Sequence, residues 1–236
     1  MKKTLVLWDI DGTLLGSGGA GMKALSAGLL AVFGVADALE GIEFAGRTDP
    51  WIIRRILRKA GLPDSDSNIA ALLDGYIGAL PAHLSSCGAR VLNGARERIL
   101  EAAERPDIAQ ALLTGNVRRG AQTKLGYHGL WDYFPLGAFA DDSETRNELG
   151  PHALRRAAMH WGVDFALERV WVVGDTPHDI ACARALGARA LAVATGSSTA
   201  VELASFRPDA VLEDLGDSGT FWQIIDGTER NPSSLI

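Results

Sequence analysis

Apolar residues follow two rhythms along this chain. Leu5-Val6-Leu7-Trp8 is a short run without alternation, flanked by lysine before it and Asp9 after it, as expected of a strand buried on both faces. A flexible stretch follows, Gly16 to Gly21, and the spacing then turns helical. It predicts one helix through about Phe33, an Arg-rich helix from Trp51 to Ala60, and further helical material from Ile69 to His83. Ser85-Ser86-Cys87-Gly88 reads as a hinge. Beyond it, helices and strands alternate: helix Ala95 to Glu104, strand Ile108 to Leu113, helix Val117 to Tyr127, strand Leu136 to Ala140, helix Pro151 to Trp161. The strand Val170 to Val173, a helix His178 to Leu186, the strand Arg189 to Val193 and a last strand near Ala210 to Leu212 complete the series. Such alternation predicts an α/β fold, a doubly wound parallel sheet with helices on both faces. The expected organisation is a Rossmann-like core of residues 1–14 and 89–236, interrupted by a strandless helical insert over 15–88.

Composition narrows the class. With 236 residues, 47% hydrophobic and 22% charged, the chain can bury a substantial core and is not a disordered polymer. The net charge of −6 is spread along the chain without a basic run, which argues against a nucleic-acid partner. Cys87 and Cys182 stand far apart without metal spacing, as in a reducing compartment, and are expected to be small buried hydrophobes. Met1-Lys2-Lys3 and the apolar run after it imitate the start of a secretory leader, but Asp9 and Asp11 end that run early. No segment approaches the ~20 apolar residues of a membrane span. A cytoplasmic protein without a membrane partner is expected, and nothing in the sequence marks an oligomeric state.

In doubly wound sheets, ligands bind outside the carboxyl ends of the strands, so the polar residues after each apolar run are the candidates. Three clusters qualify: Asp9-Ile10-Asp11-Gly12-Thr13, Thr114-Gly115-Asn116 and Gly174-Asp175-Thr176-Pro177-His178-Asp179. Asp9 and Asp11 are two apart on an extended chain, so their side chains diverge and can divide labour. One carboxylate can attack phosphorus while the other protonates the leaving oxygen and later deprotonates water. A carboxylate attacking a phosphate dianion needs its repulsion cancelled, and a hard cation held by carboxylates, with Asp175 as a further ligand, is the ordinary solution.

Trp8-Asp9-Ile10-Asp11-Gly12-Thr13-Leu14, Leu113-Thr114-Gly115-Asn116 and Gly174-Asp175-x-x-x-Asp179 resemble, in order and placement, three signature motifs of the haloacid dehalogenase-like (HAD) hydrolase superfamily. The helical insert resembles that superfamily's α-helical cap of the first type, and the nearest resemblance is to phosphoglycolate phosphatase-like proteins. The resemblance implies Asp9 as nucleophile and Asp11 as acid/base. It further implies Mg²⁺ bound by the Asp9 carboxylate, the Asp11 main-chain carbonyl and Asp175, with Asp179 in support. Thr114, with the Gly115 and Asn116 amides, would hold phosphoryl oxygens; Gly12 and Thr13 are expected at the substrate, a small phosphorylated metabolite.

One feature departs from the family pattern. A lysine is expected between the second and last motifs, yet no lysine follows Lys124, so Arg146 in Thr145-Arg146-Asn147-Glu148 is the natural replacement. Arg118 and Arg119 are its rivals but open a helix and are expected to face solvent. In the insert, Gly46-Arg47-Thr48-Asp49-Pro50 forms a polar loop from which Arg47 is expected to reach an anionic part of the substrate, with Thr48 or Asp49 also suited to cap the next helix. Gly16-Ser17-Gly18-Gly19-Ala20-Gly21 matches a dinucleotide fingerprint but starts too far beyond its strand, behind two acids; a core-to-cap linker is the better reading. The competing functions are a phosphosugar mutase of the β-phosphoglucomutase kind, which would use the same residues, and a non-enzymatic phospho-aspartate regulator.

Overall fold

In the computed structural model the described residues are 3–227. Met1 and Lys2, read above with the leader-like start, and residues 228–236, assigned above to the core, lie outside that range.

The sheet has six parallel strands: β1 (Thr4–Trp8), β4 (Ile108–Leu113), β5 (Gly137–Ala138), β6 (Val170–Gly174), β7 (Arg189–Val193) and β8 (Ala210–Leu212), in spatial order 5-4-1-6-7-8. The chain fills one side of β1 through β4 and β5, then crosses to fill the other side from β6 onward, and so creates a switch point beside β1. β1 is buried along its whole length because both faces are covered. Val6 and Trp8 point into a cluster with Ile99 of α4 (Ala95–Glu104), Leu125 of α5 (Arg118–Tyr127) and Phe221 of α9 (Ser218–Asp226). Leu5 and Leu7 point the opposite way, toward Ala153 of α6 (Leu149–Trp161), Ile180 of α7 (Pro177–Leu186) and Leu203 of α8 (Ala200–Ser205).

The insert has its own apolar core. Residues Leu29, Ile53, Ile56, Leu72 and Leu80 from α1 (Ala20–Phe33), α2 (Asp49–Lys59) and α3 (Asp66–Ser86) are all fully buried against one another. The Arg-rich pattern of α2 resolves as expected: its isoleucines face inward, while Arg54 and Arg58 bond to acids at the surface.

Three local expectations differ from what is seen. The stretch 15–88 is not strandless: β2 (Leu15–Gly16) pairs antiparallel with β3 (Arg90–Val91), so that the way into the insert is tied to the way out. A two-residue strand is too short to leave a periodic signal. The short helices α8 and α9 have no expected counterpart; each announces itself only through an N-cap, Thr199 and Asp217. Cys182 is buried as expected, whereas Cys87, at the end of the insert, is only partly so.

Candidate active site

The carboxyl ends of β1, β4 and β6 lie side by side, so the loops after them share one floor. Asp9 extends the β1 ladder by one bond, its amide donating to the Val173 carbonyl at 3.0 Å. The chain then folds tightly over Ile10, whose carbonyl accepts from the amides of Leu14 and Leu15 at 2.9 Å each. That turn needs Gly12: its φ is +86°, and a Cβ there would lie 2.3 Å from an oxygen of Asp175. Asp175 follows β6, and Asp179 sits in the first turn of α7.

Asp9, Asp175 and Asp179 are all buried, and one carboxylate oxygen from each lies within 4.8 Å of the others. Burial pushes the Asp9 carboxyl up to about 6, against the pull of Arg146 and with Asp179 and Asp11 adding to the push. Burial, with Asp179 and then Asp9 beside it, likewise lifts Asp175 well above the ordinary carboxylate range. Three buried oxygen donors with excess negative charge suit a hard divalent cation, Mg²⁺ or Ca²⁺, rather than a soft one. The donor set thus fits the metal that the motifs imply.

Asp179 serves two purposes. Its Oδ2 caps α7, accepting from the Thr176 amide at 3.0 Å and hydroxyl at 2.7 Å, while Oδ1 faces the cluster and bonds to Arg146. Arg146 is itself buried: its Nη2 lies 3.0 Å from Asp9 Oδ1, and its Nη1 donates to the Gly46 carbonyl of the insert at 3.2 Å. Burial alone would weaken this cation, but Asp179 and Asp9 hold it charged. The rivals lie elsewhere, with Arg118 over the Phe139 ring and Arg119 bonded to Asp74 at the surface.

Asp11 turns away from the cluster, as its spacing from Asp9 requires. Its Oδ2 accepts from Asn116 Nδ2 at 2.8 Å and from Lys124 Nζ at 2.6 Å, while Lys124 also donates to Asn116 Oδ1 at 2.5 Å. Asn116 in turn donates to the Thr114 hydroxyl at 2.9 Å. Lys124 is the residue that sequence reasoning missed. It occupies the buried face of α5 with Ala121 and Leu125, a position where helical periodicity calls for an apolar side chain, and that mismatch was the available signal. Burial opposes its charge, but Asp11, Tyr76 and Asp49 together keep it an ammonium.

Several expected contacts take a different form. Thr13 does not line the cavity; its hydroxyl donates to Asp175 Oδ1 at 3.0 Å, because the turn over Ile10 directs it inward beneath the floor. Arg47 does line the cavity, but its guanidinium is bonded to Glu43 at 2.6 and 2.9 Å and lies over the Trp51 ring. Lys23 and Lys59, the insert's two lysines, are not among the lining residues. The insert docks through Asp49: its amide donates to the Gly115 carbonyl and its carboxylate accepts from the Val117 amide, each at 2.8 Å. Gly115 permits this approach, since a Cβ there would lie 2.3 Å from the Arg47 carbonyl oxygen. The resulting cavity, about 400 Å³, opens between the acid cluster and the insert.

A family model described as HAD-hydrolase-like matches residues 147–218. The plasmid-borne phosphoglycolate phosphatase of Cupriavidus necator is 31% identical over 216 residues, 90% of this chain and 90% of that one. Among solved structures, a predicted phosphoglycolate phosphatase from Haemophilus somnus superposes with a TM-score of 0.71 at 17% identity, covering 97% of this chain and 99% of that one. A putative β-phosphoglucomutase from Bacteroides vulgatus superposes at 0.69 with 20% identity, covering 98% and 91%. Those two share the fold. The Cupriavidus enzyme shares nine-tenths of its length with the present chain, and on that similarity the chain belongs to the HAD-like hydrolase superfamily, as a phosphoglycolate phosphatase-like phosphomonoester hydrolase.

Proposed function

We propose that this chain hydrolyses a small phosphomonoester in two steps through an aspartyl-phosphate on Asp9, with Mg²⁺ as its cofactor. The observation that carries the reading is the unlike surroundings of two carboxylates two residues apart. Asp9 belongs to the buried acid cluster with Arg146, whereas Asp11 is tied to Lys124 and Asn116. The metal's holders would be the Asp9 carboxylate, the Asp11 main-chain carbonyl and Asp175, with Asp179 behind them. When bound, Mg²⁺ supplies the positive charge that lets a carboxylate approach a phosphate dianion.

The chain's own residues do the rest. An Asp9 carboxylate oxygen attacks phosphorus as the bond to the leaving oxygen breaks, and protonated Asp11 gives that oxygen its proton. Asp11, now a carboxylate, takes a proton from water; the hydroxide attacks phosphorus, and Asp9 departs as carboxylate with inorganic phosphate released. Arg146 bridges the nucleophile and the phosphoryl site, the work of the family's lysine, while the Thr114 hydroxyl and the amides after it offer fixed dipoles where charge rearranges. Lys124 holds Asp11 in place, and Thr13 orients Asp175.

The test is turnover of p-nitrophenyl phosphate, which should require Mg²⁺, stop in EDTA, and show radiolabel from a ³²P-ester on Asp9 in a rapid quench. Undiminished activity in chelator sinks the metal, and label that never appears on protein sinks the covalent step. Transient phosphorylation of a sugar by-product would instead mark a mutase.

A further inference from the structure

The floor of the cavity accounts for the phosphoryl group; the opposite wall carries information about what is attached to it. That wall comes from the insert and is apolar: Met22 and Leu25 of α1, Phe44 before the docking loop, Ile52 of α2 and Tyr76 of α3. The charged groups lining the cavity are four carboxylates, Asp9, Asp11, Asp49 and Asp175, against three cations, Arg47, Lys124 and Arg146. Each cation already has an anion: Arg146 has Asp9 and Asp179, Lys124 has Asp11, and Arg47 has Glu43, which His178 also contacts at 3.3 Å. The polar groups left beyond the floor are neutral, such as Ser17.

A second negative charge on the substrate would therefore face this apolar wall with no free counter-charge, and burying an unpaired carboxylate there is costly. A neutral, partly apolar group would instead exchange water for Leu25, Phe44 and Ile52 at a gain of roughly 25 cal/mol per Å² of apolar surface covered. Building on the phosphatase reading above, we infer that the site is made for monoesters of uncharged alcohols with an apolar face, and disfavours carboxylated alcohols such as the glycolate named in its relatives.

Isobutyl phosphate and 2-phosphoglycolate make the sharpest pair, because the isopropyl end of one matches the carboxylate of the other atom for atom. With Mg²⁺ present, kcat/KM for isobutyl phosphate should exceed that for 2-phosphoglycolate at least tenfold. Binding of both esters to Asp9→Asn protein, measured by calorimetry, should give the same order independently of turnover. Met22→Arg, which adds a cation at a half-exposed rim position, should narrow the ratio by raising the glycolate ester alone. Equal or better use and binding of 2-phosphoglycolate by the unaltered wall overturns the inference. If no ester, p-nitrophenyl phosphate included, is turned over, the phosphatase reading fails; the calorimetric order would still decide the preference.

Discussion

The two regions that meet at the cavity are built on opposite principles. The core spends stability on its half of the site: three buried carboxylates crowd the carboxyl ends of β1 and β6, and two of them are pushed up from their ordinary range by burial. The insert's half is made mostly of side chains such as Leu25 and Ile52 that also belong to its own apolar cluster; its one lining carboxylate, Asp49, is pushed up to about 6 by burial but holds the docking bonds to Gly115 and Val117. On the proposed reading, chemistry sits where burial is unfavourable and selectivity where burial is favourable. Substitutions in the two halves should therefore have opposite consequences: at the core's buried carboxylates Asp9 and Asp175, loss of activity with unchanged or higher stability; in the insert's apolar wall, changed preference with lower stability.

The largest effect should follow from Asp9→Asn. Removing the proposed nucleophile with a near-isosteric amide should take turnover to background, while the metal-free protein melts no lower than wild type because a buried charge has gone. A variant that keeps more than a few per cent of activity, or that unfolds, breaks the comparison at its strongest point.

Arg146→Ala should come next, with a loss on the order of 10²–10³ in kcat, the scale of one missing oxyanion donor. Arg146→Lys should recover part of it, although one ammonium replaces the two nitrogens with which the guanidinium meets Asp9 and Asp179 on one side and the Gly46 carbonyl on the other. Wild-type kinetics in Arg146→Ala together with collapse in Arg118→Ala would move the positive role onto α5.

That arginine shows how far sequence alone could see. The strand ends were legible because a strand buried on both faces has a simple signature, and because each one stops at a polar turn whose glycine is demanded by geometry, as at Gly12. Order along the chain then fixed that Asp9, Thr114 and Asp175 would meet. Arg146 was reached through the resemblance, from its place between the second and last motifs in a stretch without lysine. Lys124 was passed over because a helical lysine is ordinarily a surface residue. Its partner Asp11 is 113 residues away in sequence, and only the packing of α5 against β1 joins them. Arg47 presents the opposite case. Its loop does reach the cavity, but Glu43, four residues upstream, takes its charge. The apolar wall was the least legible part, since a residue that lines a cavity and one that fills a core have the same hydrophobic period.

Lys124→Met sharpens the contrast within the core. It preserves volume but removes the cation that holds Asp11, so kcat should fall about tenfold to a hundredfold, the scale of impaired proton transfer, with KM little changed. The loss should be greater for an alkyl phosphate than for p-nitrophenyl phosphate, whose leaving group hardly needs a proton. An equal loss with both esters would make Lys124 a structural residue alone.

The smallest effect tests the energetic half of the comparison directly. In the metal-free protein Asp9 titrates near 6 instead of its ordinary 3.8, so between those values the native state binds more protons than the unfolded chain. Stability contributed by that proton is therefore present at low pH and lost as the pH rises through about 6. Carboxylates held low, such as Asp142 beside Arg156, act in the opposite sense, but their window lies at and below their ordinary value of 3.8. Asp49, which burial also raises to about 6, and Asp175 act in the same sense as Asp9, whereas His128, kept below its ordinary 6.5 by burial and by Arg96, acts in the opposite sense, so the slope of the wild-type curve mixes all four. The difference between Asp9→Asn and wild type removes His128 and Asp49, which both proteins share, and leaves Asp9 together with the part of the Asp175 shift that Asp9 causes. In EDTA, that substitution should raise Tm by a few degrees more at pH 7.5 than at pH 5.5, because only at the higher pH does wild type carry the buried charge. Mg²⁺ added at pH 7.5 should close the gap by stabilising wild type more than the variant. A Tm difference that is flat across this range, or larger at pH 5.5, would mean that the acid cluster costs the core nothing and that the two halves of the site are built alike.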